Sequence, residues 1–217
     1  MKNTSLIRSA RQAGAGGTQE AGATMAKVAL RWSAAALVAA AVVLGASLTM
    51  QWLWPAERLP APLGSLLILV GSMLLMLALP AMYARQAEAA GWQGLVGHML
   101  LAVGNVLLIG FAAAPLFNPA IRGLDEEESV AAGLLALALL LGFVLTAIAM
   151  LRAAIYPRWS GILLLAAGVG FLFSFFVSEN VPNIAGQLIG VGWAVSLVLA
   201  LAWIGVTLWR GTGQGML

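Results

Sequence analysis

The feature that most constrains the fold is a series of long, nearly uninterrupted apolar runs, separated by short segments that contain Pro, Gly, Trp and charged residues. A membrane-spanning helix needs about 20 consecutive apolar residues to cross a hydrocarbon core of about 30 Å. The runs have this length, and they lack the alternation of apolar and polar residues that is typical of strands in a membrane barrel. The sequence therefore predicts an all-α, polytopic membrane protein that is a bundle of six transmembrane helices. The expected spans are residues 30–54, 63–84, 92–117, 129–152, 159–178 and 183–209.

Composition supports this class. Of the 217 residues, 62% are hydrophobic and 9% are charged, whereas soluble domains contain roughly 45–50% apolar and about 25% charged residues. Six spans leave room only for short connections, so consecutive helices should pack side by side in an up-down bundle. The chain has no cysteine, which excludes thiolate metal sites and cysteine nucleophiles.

The domain organisation follows from where the apolar runs begin and end. Residues 1–27 are polar and rich in Gly, Ala, Ser and Thr, so we expect a disordered cytoplasmic N-terminal tail. Residues 28–210 form the six-helix transmembrane domain, and residues 211–217 form a short C-terminal tail. The first apolar run is longer than that of a signal peptide, which favours a retained anchor. The sequence leaves open whether translation starts at Met1 or Met25.

The distribution of charge predicts the orientation. Of the 11 Lys and Arg residues, only Arg58 and Arg122 fall on one side of the six-span arrangement, and the remaining nine fall on the other. Because basic loops stay in the cytoplasm, we expect both termini there, and the positive net charge reflects topology rather than nucleic-acid binding. The acidic run Asp125–Glu128 falls on the outer side, just before the fourth span. It suits a helix N-terminus, and the alternative is a site for a divalent cation or a cationic partner.

His98 is the only histidine, and Asn105 follows seven residues later on the same face of the third span. The small residues Gly94 and Gly97 lie just before His98 in the sequence. One interpretation is an interhelical hydrogen bond made by a neutral imidazole. The other is a functional role for His98, as the axial ligand of a haem or chlorophyll-type macrocycle or as a proton-sensing group. We favour the first and expect no cofactor and no metal, because a single histidine has no companion ligands.

The sixth span contains two further features. Asn183 and Gln187 lie near its outer end and, with Asn105, form a polar intramembrane face. Gly186, Gly190 and Ala194 recur every four residues, a spacing typical of close helix packing. The partner helix could belong to this chain or to another subunit, and we expect the former.

Two basic segments resemble a known group of proteins. Arg152 with the sequence YPRWSG at 156–161, and Tyr83–Arg85 with GWQG at 91–94, are similar to segments of small six-helix bacterial membrane proteins of unknown function. The resemblance covers most of residues 28–210. It implies a six-helix bundle in a bacterial cytoplasmic membrane, and it implies no activity and no catalytic residues.

The expected function is non-enzymatic. No Asp, Glu, Lys or Arg lies in the middle of a span, which counts against proton relays and ion-coupled transport. Nucleophilic catalysis would need Ser72 or Ser160 beside His98, and no catalytic motif such as GxSxG or HExxH occurs. The main hypothesis is an accessory or interaction subunit that packs against partner membrane proteins or copies of itself. The alternatives are a carrier or pore for a neutral or lipophilic solute, and a cofactor-binding protein that uses His98.

Overall fold

The computed structural model describes residues 3–53, 61–117, 130–176 and 183–211, and within these ranges the chain is all-α, as predicted. The acidic run Asp125–Glu128, together with Arg58 and Arg122, lies outside the described residues. The described residues form five helices: α1 (Asn3–Leu53), α2 (Ala61–Phe117), α3 (Val130–Ala153), α4 (Arg158–Phe176) and α5 (Asn183–Gly211).

Four stretches of the described helices are long and apolar enough to cross a membrane. They are Thr24–Met50, Leu63–Phe117, Val130–Ala153 and Leu188–Gly211, and Arg158–Phe173 is a shorter apolar helix. Large apolar side chains on their outer faces are exposed, as is expected where side chains contact lipid acyl chains. The chain is therefore a membrane protein.

Helix α2 is a helical hairpin that turns at Gly91. This glycine has φ 57° and ψ −155°, a conformation that a residue without Cβ adopts readily. The Asn105 Nδ2 donates a hydrogen bond to the Ser72 carbonyl oxygen at 2.7 Å, although 33 residues of continuous helix would separate the two by roughly 50 Å. The two halves of α2 are therefore antiparallel neighbours, called α2a (residues 61–90) and α2b (residues 92–117) below.

The principal helix contacts form a closed ring in chain order. Helix α1 packs against α2, α2 against α3, α3 against α4, α4 against α5, and α5 returns to α1. Short connections dictate the consecutive pairs, because helices that are joined by a few residues must lie side by side. The interior is filled by apolar side chains from every helix; among the fully buried ones are Leu37, Met82, Met150, Leu164 and Ile204.

Both ends of the chain were expected to be tails. Helix α1 begins at Asn3, so its backbone is helical across most of residues 1–27, and the apolar stretch begins at Thr24. A helix that is already nucleated in the membrane can extend toward its N-terminus without a second unfavourable nucleation step. At the other end, α5 reaches Gly211, and residues 212–217 lie outside the described residues.

Candidate functional site

The two arms of the hairpin meet at a buried pair of polar side chains close to the turn, His98 of α2b and Gln86 of α2a. The His98 Nδ1 lies 2.8 Å from the Gly94 carbonyl oxygen. A carbonyl can only accept, so Nδ1 carries the hydrogen. The other ring nitrogen, Nε2, lies 3.2 Å from the Gln86 amide nitrogen and accepts its hydrogen bond. The Tyr83 ring covers the imidazole, with centroids 5.4 Å apart. The arrangement holds a neutral imidazole between two helices.

Three polar atoms near this pair or deeper in the bundle are buried and have no hydrogen-bond partner in the described part of the chain. They are Gln86 Oε1, Thr146 Oγ1 and Ser72 Oγ. Thr146 belongs to α3, and its hydroxyl lies directly against Gly97, since a Cβ built on Gly97 would be 2.8 Å from Oγ1. Unpaired buried polar groups are costly in a medium without water. These atoms are available to a polar ligand or a water molecule.

A second group of contacts joins three elements at the same end of the bundle. The Arg85 Nη1 donates to the Thr207 carbonyl oxygen of α5 at 3.2 Å, and the guanidinium lies 5.9 Å from the centroid of the Tyr156 ring. The Tyr156 hydroxyl donates to the Met82 carbonyl oxygen at 3.3 Å. Burial raises the pKa of the Tyr156 phenol, and the Arg85 charge opposes the shift only in part. Helix α2a, the α3–α4 connection and α5 are thereby held together.

The α2b–α3 interface is unusually close because glycine occurs on both sides of it. A Cβ on Gly97 would lie 2.7 Å from the Thr146 backbone nitrogen, and one on Gly142 would lie 2.7 Å from the Leu101 backbone nitrogen. Close backbone approach of this kind is the role of small residues in membrane helices. Gly97 therefore accommodates α3, which brings Thr146 next to the polar pair.

The structure brings some of the predicted site residues together and leaves others apart. His98 and Asn105 lie on α2b, and both are bonded to α2a. Because both ring nitrogens of His98 are engaged, axial ligation of a macrocycle would require the bond with Gln86 to break. Neither serine proposed as a nucleophile reaches His98: the Ser160 hydroxyl donates to the Pro157 carbonyl oxygen at 2.6 Å, and the Ser72 hydroxyl is unpaired.

The predicted packing ridge on α5 is only partly covered by the residues that the structure describes. Gly190 and Ala194 are buried, whereas a Cβ on Gly186 would meet no described atom within 4 Å. Asn183 and Gln187 lie in the first two turns of α5, and the structure describes their backbone alone. A close α1–α5 contact lies further along, where a Cβ on Gly205 would be 2.7 Å from the Val38 side chain.

Sequence reasoning missed Gln86, Arg85 and Tyr156. The predicted second span ended at residue 84, so Gln86 and Arg85 fell in a supposed loop, and Tyr156 was considered only as part of a resemblance. One signal could have found Gln86. A glycine between two apolar runs suggests a turn, and Gln86 and His98 stand at similar distances on either side of Gly91.

The fold and the site define a class: an all-α membrane protein whose buried polar side chains bond largely between its own helices. Comparison with known protein families, curated proteins and solved structures gives no match to this chain. The resemblance to small six-helix bacterial proteins finds no support in these comparisons.

Proposed function

We propose that the chain crosses the membrane six times, with both termini on the cytoplasmic side of a bacterial inner membrane. The stretch Leu63–Phe117 has 55 residues, enough for two crossings of about 20 residues each, and its halves are antiparallel. Arg85 contacts Gly211 of α5, and Arg152 donates to Gln93 Oε1 of α2b. These contacts gather basic residues at one end of the bundle, which supports the assignment of that end to the cytoplasm. The bacterial assignment depends on the sequence resemblance.

We infer that the protein acts as an interaction subunit that binds partner membrane proteins through its lipid-facing surface. One observation carries this proposal. The buried polar side chains of the described residues include no Asp, Glu, Lys or Arg, and the largest of them, His98, Gln86 and Asn105, bond between the two arms of the hairpin. Such an interior lacks the ionised groups on which most intramembrane chemistry and ion coupling depend. The outer surface is then the part of the molecule that is available for function.

The outer half of the α1–α5 interface is the best candidate for the partner surface. It contains an apolar groove of about 300 Å³, whose walls include Gly45 and Thr49 of α1 and Val191 and Val195 of α5. A Cβ on the adjacent Gly192 would meet no described atom within 4 Å. A glycine that faces outward allows the backbone of another helix to approach closely, which supports a transmembrane helix as the occupant.

The test uses two glycine variants that should fold equally well. Gly192→Leu fills the space beside the groove, and Gly133→Leu fills similarly open space on α3, since neither Cβ would meet a described atom within 4 Å. The full chain is extracted from its own membrane in mild detergent and weighed by native mass spectrometry. We expect the wild type and Gly133→Leu to appear with a second chain, either another protein or a copy, and Gly192→Leu to appear alone. A solitary wild type, or equal behaviour of both variants, would refute the proposal.

A carrier for a neutral polar solute is the second candidate, and the three unpaired buried atoms favour it. Gln86 Oε1, Thr146 Oγ1 and Ser72 Oγ could bond a solute that lacks charge. Uptake of neutral solutes into liposomes that contain the purified protein tests this function. Uptake should fall in Gln86→Leu and persist in the control Thr49→Val, whose hydroxyl bonds within its own helix. Uptake that is equal in protein-free liposomes rejects the carrier.

A further inference from the structure

The basic end of the α1–α5 interface opens into a second groove, distinct from the one considered above for a partner helix. Its volume is about 310 Å³, and it is lined by Val28, Arg31, Trp32, Ala35 and Trp209. The four α1 residues share one helical face because they recur at intervals of three and four. The two indoles come from different helices and are 74% and 53% exposed. Folding thus places one guanidinium and two exposed aromatic rings around a single opening.

We propose that this groove binds the headgroup of an anionic phospholipid. A guanidinium matches the geometry of a phosphate and can donate two parallel hydrogen bonds to it. Indole rings favour the headgroup level of a bilayer, where their ring is apolar and their N–H is polar. Trp32 and Trp209 would flank the glycerol and phosphate on either side, and Arg31 would pair with the phosphate.

The surroundings favour an anionic lipid over a zwitterionic one. Lys27 lies one turn before Arg31 on α1, and Arg210 follows Trp209 on α5. Among the described residues, the groove lining contains one ionisable side chain, the cation Arg31, and no carboxylate. A phosphatidylcholine headgroup would bring its own ammonium into this positive field, whereas a phosphatidylglycerol headgroup would not.

The length of the adjoining helix face fits the acyl chain of the same lipid. From Ala35 the face continues by seven residues to Val42, which is 65% exposed. Arg31 and Val42 are separated by 11 helical residues, or roughly 16 Å, which is about half of a 30 Å hydrocarbon core. The occupant is therefore a lipid of a single leaflet. The inference does not depend on the proposed function, or on which side of the membrane the basic end faces.

Native mass spectrometry of the purified full chain tests the site. The detergent solution contains equimolar dioleoylphosphatidylglycerol and dioleoylphosphatidylcholine, and the ratio of the two adducts is measured. We expect the wild type to retain phosphatidylglycerol in preference by about fivefold or more, since one basic group near an anionic surface contributes about 1 kcal/mol. Arg31→Ala should lower this ratio by about fivefold. The matched control is Arg158→Ala, because Arg158 also stands beside an exposed tryptophan, Trp159, at a helix start.

Each result decides for or against the site. A wild type without preference, or an equal loss in Arg158→Ala, would mean that basic residues act only as general anchors and would overturn the proposal. Displacement of the lipid by millimolar inorganic phosphate would also overturn it, because the site would then recognise the free ion. Trp209→Ala removes one wall without removing charge, and it should weaken adducts of both lipids. Unchanged lipid binding in that variant would count equally against the groove, and circular dichroism verifies that each variant is folded.

Discussion

Replacing Gly97 with alanine should force α2b and α3 apart. A Cβ at this position would lie 2.7 Å from the Thr146 nitrogen, 2.8 Å from the Thr146 hydroxyl and 3.0 Å from the Leu145 carbonyl carbon. Two of these three atoms belong to the backbone of α3, so a change of side-chain rotamer cannot relieve the clash. The helix itself has to move.

The size of the effect follows from these distances. The Cβ would lie 2.7 Å from the Thr146 nitrogen, and the optimal contact range begins at about 3.5 Å, so the two helices have to separate by roughly 0.8 Å. A gap of that size along the interface forfeits a quarter to a half of the dispersion energy across it. Overpacking of this kind costs about 1–3 kcal/mol. Alanine is better than glycine in a helix by about 1 kcal/mol, which offsets part of the loss. We therefore expect a net destabilisation of about 1–2 kcal/mol.

Gly133→Ala is the matched control, because its Cβ would meet no described atom within 4 Å. At residue 133 the substitution brings only the higher helix propensity of alanine, so this variant should be as stable as the wild type or more stable by up to about 1 kcal/mol. Both variants are unfolded reversibly in mixed micelles with a rising fraction of sodium dodecyl sulfate, and helix content is followed by circular dichroism. If Gly97→Ala is as stable as Gly133→Ala, then α2b and α3 do not pack at the distance described here.

Three further perturbations use the same unfolding titration. Asn105→Leu removes the bond to the Ser72 carbonyl oxygen and should lower the free energy of unfolding by about 0.6–1.7 kcal/mol. The control Thr49→Val should change it by no more than about 0.5 kcal/mol. Equal effects of the two variants would exclude an interhelical role for the Asn105 amide. Burial raises the pKa of Tyr156, so its neutral form stabilises the fold fully below about pH 10, and that stability declines at higher pH as the unfolded chain ionises. Tyr156→Phe should show a smaller decline than the wild type above about pH 10, and an identical decline would contradict a buried phenol. Arg85→Gln should cost about 1–3 kcal/mol, because the Thr207 carbonyl oxygen loses a charged donor; an unchanged midpoint would show that this contact does not stabilise the bundle.

The helical class and the membrane location could be predicted from sequence because they depend on local properties. The length of an apolar run sets whether a helix can cross the bilayer, and a glycine with neighbouring charge marks a turn. The run 92–117 and the half-helix α2b coincide for this reason. The end of the second run was placed too early, since Gln86 is polar and looks like a loop residue until its partner is known.

The candidate site could be predicted only in part, because hydrogen-bond partners depend on the register between helices. The sequence singled out His98 and Asn105 as buried polar groups. It did not reveal that Gln86 bonds to His98, because that bond requires the two arms of the hairpin to pack in a register that brings these residues side by side. Nor did it reveal that Gly97 and Gly142 let the α2b and α3 backbones approach closely. The sequence drew attention instead to Gly186, Gly190 and Ala194, which recur every four residues, and a Cβ on Gly186 would meet no described atom within 4 Å.

The closed ring gives the α1–α5 interface a special position in the molecule. Every other principal contact joins consecutive helices, so it forms at little cost in loop closure, whereas α1 and α5 are separated by most of the chain. The two grooves proposed for a partner helix and for a lipid lie at opposite ends of this same interface, with the close contact at Gly205 between them. A ligand that binds only when the two helices are joined stabilises the joined state by mass action. Anionic lipid at Arg31 should therefore also strengthen partner binding near Gly192, because both depend on the same closure.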